Sequence, residues 1–477
     1  MNILMVASEM TPFAKTGGLG DVLGALPHAL ARRGHELTVF IPFYRGIQST
    51  MRELILHGNV MVGARPVKYN LLRIARDRKV QVYAINREEY FDRTHLYGTP
   101  ERDYDDNAER FIFFSKAVIQ AIQSLGLRPQ IVHAHDWQTA LVLVYLNLQH
   151  ARSSFPRART VFTIHNLAYQ GQFEAQTFNW MGLPAHFSSM NGLEFYGRMN
   201  FMKGGIVFAD SITTVSRRHA QEIQTPEYGF GLDGVLRSRQ GSLYGIVNGA
   251  DYSVWNPKTD SYLKQKYETN SLKNKAACKQ ALAADLGLQI AINKPLFGIV
   301  SRFAQQKGLD LAIKIMPELL KKGAFFAILG NGNTGYEKRF RELAARHSSQ
   351  IGLRIGFDEP LAHRIFAGCD FFMMPSLYEP CGLGQLYALR YGTIPIVRAT
   401  GGLDDTVQEW NPATHEGTGF KFDEIAPEAL LKACEKAMKI HRQPSSFSAL
   451  RKNAMNVDFS WEKSAAEYET LYKSLRS

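Results

Sequence analysis

Short, continuously apolar runs alternate with stretches of helical apolar spacing along almost the whole chain. In the first half the runs are Asn2–Ala7, Glu36–Ile41, Val80–Ile85, Gln130–His133, Thr160–Ile164 and Ser211–Val215. In the second half they are Leu296–Val300, Ala324–Leu329, Gly352–Ile355, Phe371–Met374 and Thr393–Val397. Runs apolar on both alternating faces predict parallel strands covered on both sides by helices, an α/β architecture. At the far end Trp461, Ala465, Tyr468, Tyr472 and Leu475 recur at helical spacing. Such a stripe predicts a terminal helix that docks on a core.

Several of the runs open into polar, glycine-containing loops. Asn2–Ala7 leads to Lys15-Thr-Gly-Gly-Leu-Gly-Asp21, and Leu296–Val300 leads to Ser301-Arg302 with Lys307-Gly308 beyond. Phe371–Met374 leads to Glu379-Pro-Cys-Gly382, and Ile394–Val397 leads to Thr400-Gly-Gly402. Open α/β sheets bind ligands at the carboxyl ends of parallel strands. One such set in each half predicts two sheets facing across a cleft that encloses a phosphorylated substrate, hence a transferase.

The length of 477 residues exceeds one hydrophobic core, so at least two domains are expected. Punctuation at Ile246-Val-Asn-Gly249 and Trp255-Asn-Pro257 places the boundary near 243–260. The expected division is 1–243, 244–456 and a terminal helix, 457–477, lying back on the first domain. No apolar run approaches the roughly 20 residues of a membrane span. The chain enters its first strand at once, so no leader is expected. Four scattered cysteines, without a metal-type pair, fit a reducing cytoplasm. A net charge of +12 is spread without a basic block, which points to an anionic substrate rather than nucleic acid.

Each polar loop has a chemical and a plain reading. Glycines at 17, 18 and 20 let a ligand approach the backbone at a helix start, and Lys15 adds a charge. The same residues make an ordinary tight turn. Arg302 and Lys307 could converge on a pyrophosphate and offset the charge of a departing phosphate, or be solvated bases. Glu379 could take hydrogen bonds from a sugar or merely favour a helix dipole. His133-Ala-His135 shares a strand face but lacks a specified third metal ligand. Asp103-Tyr-Asp105 follows no apolar strand, and Asp106 reads as a helix cap. Gly330-Asn-Gly-Asn-Thr-Gly335 matches a dinucleotide fingerprint, yet follows the second strand of its domain rather than the first.

Taken in order, these motifs resemble the bacterial glycogen synthase and plant starch synthase family. The likeness runs from residue 1 to about residue 475 and rests on Lys15-Thr-Gly-Gly-Leu19, His133-Ala-His-Asp-Trp137, Thr163–Gly171 and Val247-Asn-Gly249. It continues through Ser301-Arg302, Gln306–Asp310, Tyr378-Glu-Pro-Cys-Gly-Leu383 and Thr400-Gly-Gly-Leu403. The resemblance implies a GT-B fold, two Rossmann-like domains. It also implies a retaining transfer of glucose from ADP-glucose to an α-1,4-glucan, without a metal or other cofactor.

By that likeness Lys15 and Gly18 belong to the donor loop with Asp21 close by. His165 lies beside the transferred sugar with its backbone carbonyl near the anomeric carbon, and Asn248 approaches the same sugar. Arg302 and Lys307 neutralise the pyrophosphate, and the backbone of Thr400, Gly401 and Gly402 holds its distal phosphate. Phe357 stands where relatives often stack a tyrosine on adenine. Asp136, Cys381 and Gly382 complete the substrate-binding set. Tyr387 occupies a position where wider relatives carry a ribose-binding glutamate, so a ribose contact is not implied. The implied reaction is a front-face displacement with Glu379 supporting the sugar's developing positive charge. A pyridoxal-dependent glucan phosphorylase and a silent glucan-binding protein are the competing readings. ADP- against UDP-glucose is left open, as is oligomeric state.

Overall fold

The computed structural model describes residues 1–47, 51–77, 79–99, 102–151 and 157–476. The chain forms two compact units: Met1–Ile246 with Trp461–Ser477, and Val247–Ser460.

The strands of the first unit are β1 (Asn2–Val6), β2 (Glu36–Pro42), β3 (Glu53–Val62), β4 (Arg65–Asp77), β5 (Val80–Asn86), β6 (Ile131–His135) and β7 (Arg159–Ile164). They continue with β8 (Gln172–Glu174), β9 (Glu194–Phe195), β10 (Arg198–Asn200), β11 (Ser211–Thr214) and β12 (Leu243–Gly245). Among the described residues the main sheet is nine-stranded, ordered β12-β11-β7-β6-β1-β2-β5-β4-β3. Pairing is parallel from β12 to β5, and an antiparallel β3–β4 hairpin closes the far edge. Strands β8, β10 and β9 form a small antiparallel sheet. Chain order reverses on either side of β1, so β1 and β6 flank a switch point where ligands bind in such sheets.

Three helices frame that point: α1 (Gly18–Arg32), α2 (Asn107–Ser124) and α3 (Trp137–Ala151). The hydrophobic stripe of the C-terminal helix Trp461–Ser474 joins the same core: Ala465, Tyr468 and Tyr472 are fully buried. Its polar flank pairs with the last residue of α1 through Arg32–Glu462 (2.6 Å) and with the residue just past it through Arg33–Glu469 (2.5 Å). Because β12 still belongs to the first sheet, the first unit extends past residue 243, to Ile246.

The second unit contributes β13 (Leu296–Phe303), β14 (Phe325–Gly332), β15 (Ile351–Ile355), β16 (Phe371–Met374), β17 (Ile394–Arg398) and β18 (Phe420–Phe422). They form a parallel sheet ordered β15-β14-β13-β16-β17-β18. Alternate residues face opposite cores. Phe297, Ile299, Phe326, Ile328, Phe371 and Met373 enter one, while Leu296, Ala327, Leu329 and Phe372 enter the other. That is why the strands read as continuous apolar runs. Its helices include α4 (Leu309–Lys321), α5 (Thr334–Arg346), α6 (Glu359–Gly368), α7 (Gly384–Arg390) and α8 (Gly401–Thr406). The switch point here lies between β13 and β16.

Candidate active site

In the first unit the loop after β1 is built around Glu9, a buried carboxylate. It accepts hydrogen bonds from Thr16 N–H (2.6 Å), Thr16 Oγ1 (2.6 Å) and Gly17 N–H (3.2 Å). The Tyr97 hydroxyl lies 2.8 Å from it. This anchor holds Gly17 and Gly18 at the start of α1, where no side chain caps the helix. No atom lies within 4 Å of the place a Cβ would occupy on Gly17 or Gly18. An anionic ligand therefore has open backbone to approach. Lys15 Nζ sits 2.6 Å from Asp21 Oδ1, a partly exposed pair that is weak enough to yield its lysine to a stronger anion.

The ends of β6 and β7 are tied together at Asp136, whose φ of 56° is rare for a residue with a side chain. Its N–H donates to Thr163 O (2.9 Å), and its Oδ1 accepts from His165 N–H (2.7 Å). Burial pushes the Asp136 carboxyl up to about 7, against the opposing backbone hydrogen bonds of His165 and Asn166. Burial also pushes His165 down to about 3, so its ring is neutral near pH 7. Gly171 serves this arrangement: a Cβ there would lie 2.4 Å from the Trp137 ring. The motifs around Trp137 and Gly171 thus require one another.

His133 and His135 are buried and held by protein groups. His133 reaches Tyr472 OH (2.8 Å) and Thr163 Oγ1 (2.5 Å), and His135 Nδ1 lies 3.0 Å from His165 Nε2. Asp106 precedes α2 at the cap position, but its side chain makes no cap bond. Its oxygens instead receive both ends of the Arg93 guanidinium, at 2.7 and 2.5 Å, which corrects its reading as a side-chain cap.

In the second unit three loops interlock at the switch point. Lys307 and Gly308 lie between β13 and α4, Pro375–Gly382 between β16 and α7, and Thr400 between β17 and α8. Leu377 N–H donates to Gln306 O (2.8 Å), and Gly402 N–H to Glu379 O (3.0 Å). The Arg398 guanidinium donates to Ser376 O (3.0 Å) and to Leu377 O. Within this frame Lys307 Nζ lies 2.7 Å from Glu379 Oε2, which also accepts from Ser376 Oγ (3.0 Å). Arg302 is exposed and has no side-chain partner among the described residues. A paired and an unpaired cation therefore lie at the carboxyl end of one strand.

Asn248 is buried beside the Cys381 thiol, and its side-chain oxygen lacks a partner among the described residues. Such an orphaned acceptor is a natural contact for a ligand hydroxyl. Burial pushes the Cys381 thiol up to about 12, so it is no nucleophile. Gly382 takes φ 73°, and a Cβ there would lie 2.5 Å from Gln385 Oε1. The amides of Thr400 and Gly402 are engaged, with Arg398 O (2.9 Å) and Glu379 O (3.0 Å). Phe357, just past β15, is 85% exposed. Tyr387 stacks on Trp255 at 4.0 Å, and Trp255 stacks in turn on His363 at 3.8 Å.

The glycines of Gly330–Gly335 serve packing. A Cβ on Gly330 would lie 2.0 Å from Ser301 O, and one on Gly332 would lie 2.6 Å from Phe303 O. They let β14 run close beside the end of β13. Lys15, Gly18, Asp21, Asp136 and His165 thus belong to the first unit, and the other expected site residues to the second. Glu9, Ser376 and Trp255 were not foreseen. Glu9 follows a fully apolar strand as Glu379 does, and that spacing was the available signal.

The chain as a whole is similar to proteins of known family. Residues 2–238 match the starch synthase catalytic domain model, and residues 287–456 the glycosyl transferases group 1 model. The glycogen synthase of Koribacter versatilis is 46% identical over 100% of this chain and 98% of its own length. That of Anaeromyxobacter sp. strain Fw109-5 is 48% identical over 100% and 99%. The chain belongs to the glycogen synthase family. The catalytic domain of starch synthase IV from Arabidopsis thaliana, solved with ADP and acarbose, superposes with a TM-score of 0.92. It is 33% identical, and the likeness covers 99% of both chains. Sucrose-phosphate synthase from Thermosynechococcus elongatus, 15% identical over 100% of this chain and 99% of its own, shares the fold with a TM-score of 0.63. The fold is GT-B, and the protein is a glycosyltransferase. No helix among the described residues is long and apolar enough to cross a membrane.

Proposed function

We propose that this protein transfers glucose from ADP-glucose to the non-reducing end of an α-1,4-glucan, with retention, in the cytoplasm. The observation that carries this reading is the Lys307–Glu379 pair, with the unpaired Arg302, at the carboxyl end of the second sheet's switch-point strands. Lys307 and Arg302 neutralise the diphosphate as it departs, where charge develops in the transition state. Two fixed cations supply the charge that a metal supplies elsewhere, so the transfer needs no metal. Glu379, held by Lys307 and Ser376, supports positive character on the sugar ring. The exposed ring of Phe357 stacks on adenine, and Asn248 Oδ1 takes a sugar hydroxyl. Thr400, Gly401 and Gly402, where α8 begins, border the distal phosphate.

The first unit by itself offers a substrate open backbone at Gly17–Gly18 and a neutral His165 ring. In support, the Arabidopsis enzyme was solved with ADP and an oligosaccharide analogue. Incubation with ADP-glucose or UDP-glucose plus a short maltooligosaccharide, followed by chain-length analysis, tests the reading. Elongation by single glucose units with ADP-glucose is expected. Nucleotide-sugar turnover without elongation, or elongation only from glucose 1-phosphate, would overturn it.

A further inference from the structure

His135 Nδ1 and His165 Nε2 lie 3.0 Å apart, so one of the two donates a proton to the other. The second nitrogen of His135, Nε2, is buried and has no partner among the described residues. Burial lowers the basicity of both rings, so each carries one proton at neutral pH. If His165 were the donor, the His135 proton would sit on Nε2, a buried N–H with nothing to receive it. An orphaned buried N–H is rarer in folded proteins than an under-used acceptor.

We propose that His135 donates from Nδ1 to His165 Nε2 and so holds His165 as the Nδ1–H tautomer. The His165 ring is half-buried, and its Nδ1 has no protein partner among the described residues. It therefore presents an N–H donor to the occupant of the site. The supports behind His135 are firm. The His133 ring lies 4.1 Å from it and is pinned by the Tyr472 hydroxyl and Thr163 Oγ1. Thr163 Oγ1 is held in turn by Thr213 Oγ1 at 2.5 Å. His135 is thus a positioning residue that acts through His165. The receiving group, which rests on the function proposed above, is a hydroxyl oxygen of the transferred glucose.

Two measurements test this. In the full-length, ligand-free protein labelled with ¹⁵N-histidine, the His165 signals are assigned by their loss in His165→Gln. A protonated Nδ1 and a bare Nε2 are expected; the reverse assignment overturns the proposal. Kinetics then compare His135→Leu, which removes the donor, with His135→Asn, whose amide can restore it. Loss of one oriented hydrogen bond should lower kcat/KM for ADP-glucose about tenfold in His135→Leu, with recovery in His135→Asn. With singly deoxygenated ADP-glucose analogues, the His135→Leu effect should vanish for the one lacking the receiving hydroxyl. An equal loss with every analogue would show a structural role alone and sink the proposal. Should the wild-type protein not use ADP-glucose, the functional reading fails, while the spectra still decide the tautomer.

Discussion

Lys307 Nζ and Glu379 Oε2 lie 2.7 Å apart, although 72 residues separate them in the chain. The carboxylate is nearly buried, with Ser376 Oγ as its other partner at 3.0 Å. Removing the lysine therefore strips two functions at once: a cation for the diphosphate and the counter-charge of a buried acid. Lys307→Ala and Glu379→Ala should each lower kcat at least ~100-fold, the scale of removing one transition-state stabiliser. The double variant should be little worse than the poorer single one, because the two act as a unit. Steady-state kinetics of the cycle check this, and fully additive losses would show that the pair is uncoupled. Arg302→Ala should lose comparable activity with its melting temperature unchanged, since its side chain contacts no partner among the described residues.

Backbone crowding makes two glycines indispensable to the same frame. Gly308 has φ 62°, and a Cβ there would lie 1.8 Å from Pro375 O. Gly401 has φ 44°, and its Cβ would lie 2.0 Å from Glu379 O. Neither neighbour is a flexible side chain, so the loops must separate. Gly308→Ala and Gly401→Ala should each destabilise the second unit by about 2–4 kcal/mol, combining strain with a forced shift. Gly287 offers the control: φ is 69° but the space is open, so Gly287→Ala should cost only about 1 kcal/mol. Hydrogen exchange in β13 and β16 reads the difference. Equal losses at all three positions would mean that φ alone matters.

Most parallel strands of both sheets were legible because, buried on two faces, they read as unbroken apolar runs, while the three-residue edge strands β12 and β18 were too short to show. The β3–β4 hairpin was not legible either. Leu54, His57, Asn59 and Met61 leave one face of β3 largely exposed, and its two-residue turn carries Gly63 rather than a marked turn pair. In the site, spacing exposed the loops but not what holds them. Glu9 supports the first loop from a strand end, and Asp106 turned from capping to pairing with Arg93, a partner 13 residues away. Such side-chain choices depend on tertiary neighbours, which local pattern does not encode.

Phe357 separates binding from stability. Its ring is 85% exposed, so truncation removes little buried area. Phe357→Ala should leave the melting temperature within a degree or two and raise KM for ADP-glucose about tenfold, the value of one lost aromatic stack (~1–1.5 kcal/mol). Phe357→Trp should restore most of the binding. An unchanged KM in Phe357→Ala would remove adenine stacking from the proposed function.

Asp136 gives a pH signature with a definite sign. Its carboxyl moves from an unfolded value of 3.8 to about 7 in the folded chain, chiefly through burial. Between these values the folded state binds more protons than the unfolded state, so this group's contribution to stability falls as pH rises. Asp136→Asn keeps an oxygen to accept the His165 N–H and cannot ionise. Relative to that variant, the wild-type chain should be most stable near pH 4, lose the advantage towards pH 7, and level off above. Urea titrations of both proteins across that range measure it. A difference that grows in favour of the wild type with rising pH would show that the carboxylate is stabilised instead.

The C-terminal helix should matter to the first unit and not to the second. Trp461, Ala465, Tyr468, Leu471 and Tyr472 are part of the first unit's core, and the second unit ends at Ser460. Burying each large side chain contributes roughly 1.5–3 kcal/mol, so deleting four of them removes about 6–12 kcal/mol, the same scale as the roughly 5–15 kcal/mol that holds a typical domain together. A chain ending at Ser460 should therefore lose hydrogen-exchange protection in β1, β2 and β6 while β13, β14 and β16 keep theirs. The milder Tyr472→Phe removes only the hydroxyl that meets His133 Nδ1 at 2.8 Å. Leaving that nitrogen buried and unpaired should cost about 1–3 kcal/mol in the first unit. The same variant should leave kcat close to normal if Thr163 alone still fixes the His133 ring, and should lower it if the two anchors act together. Protection lost equally from both units of the shortened chain would show that the helix supports more than the core it enters.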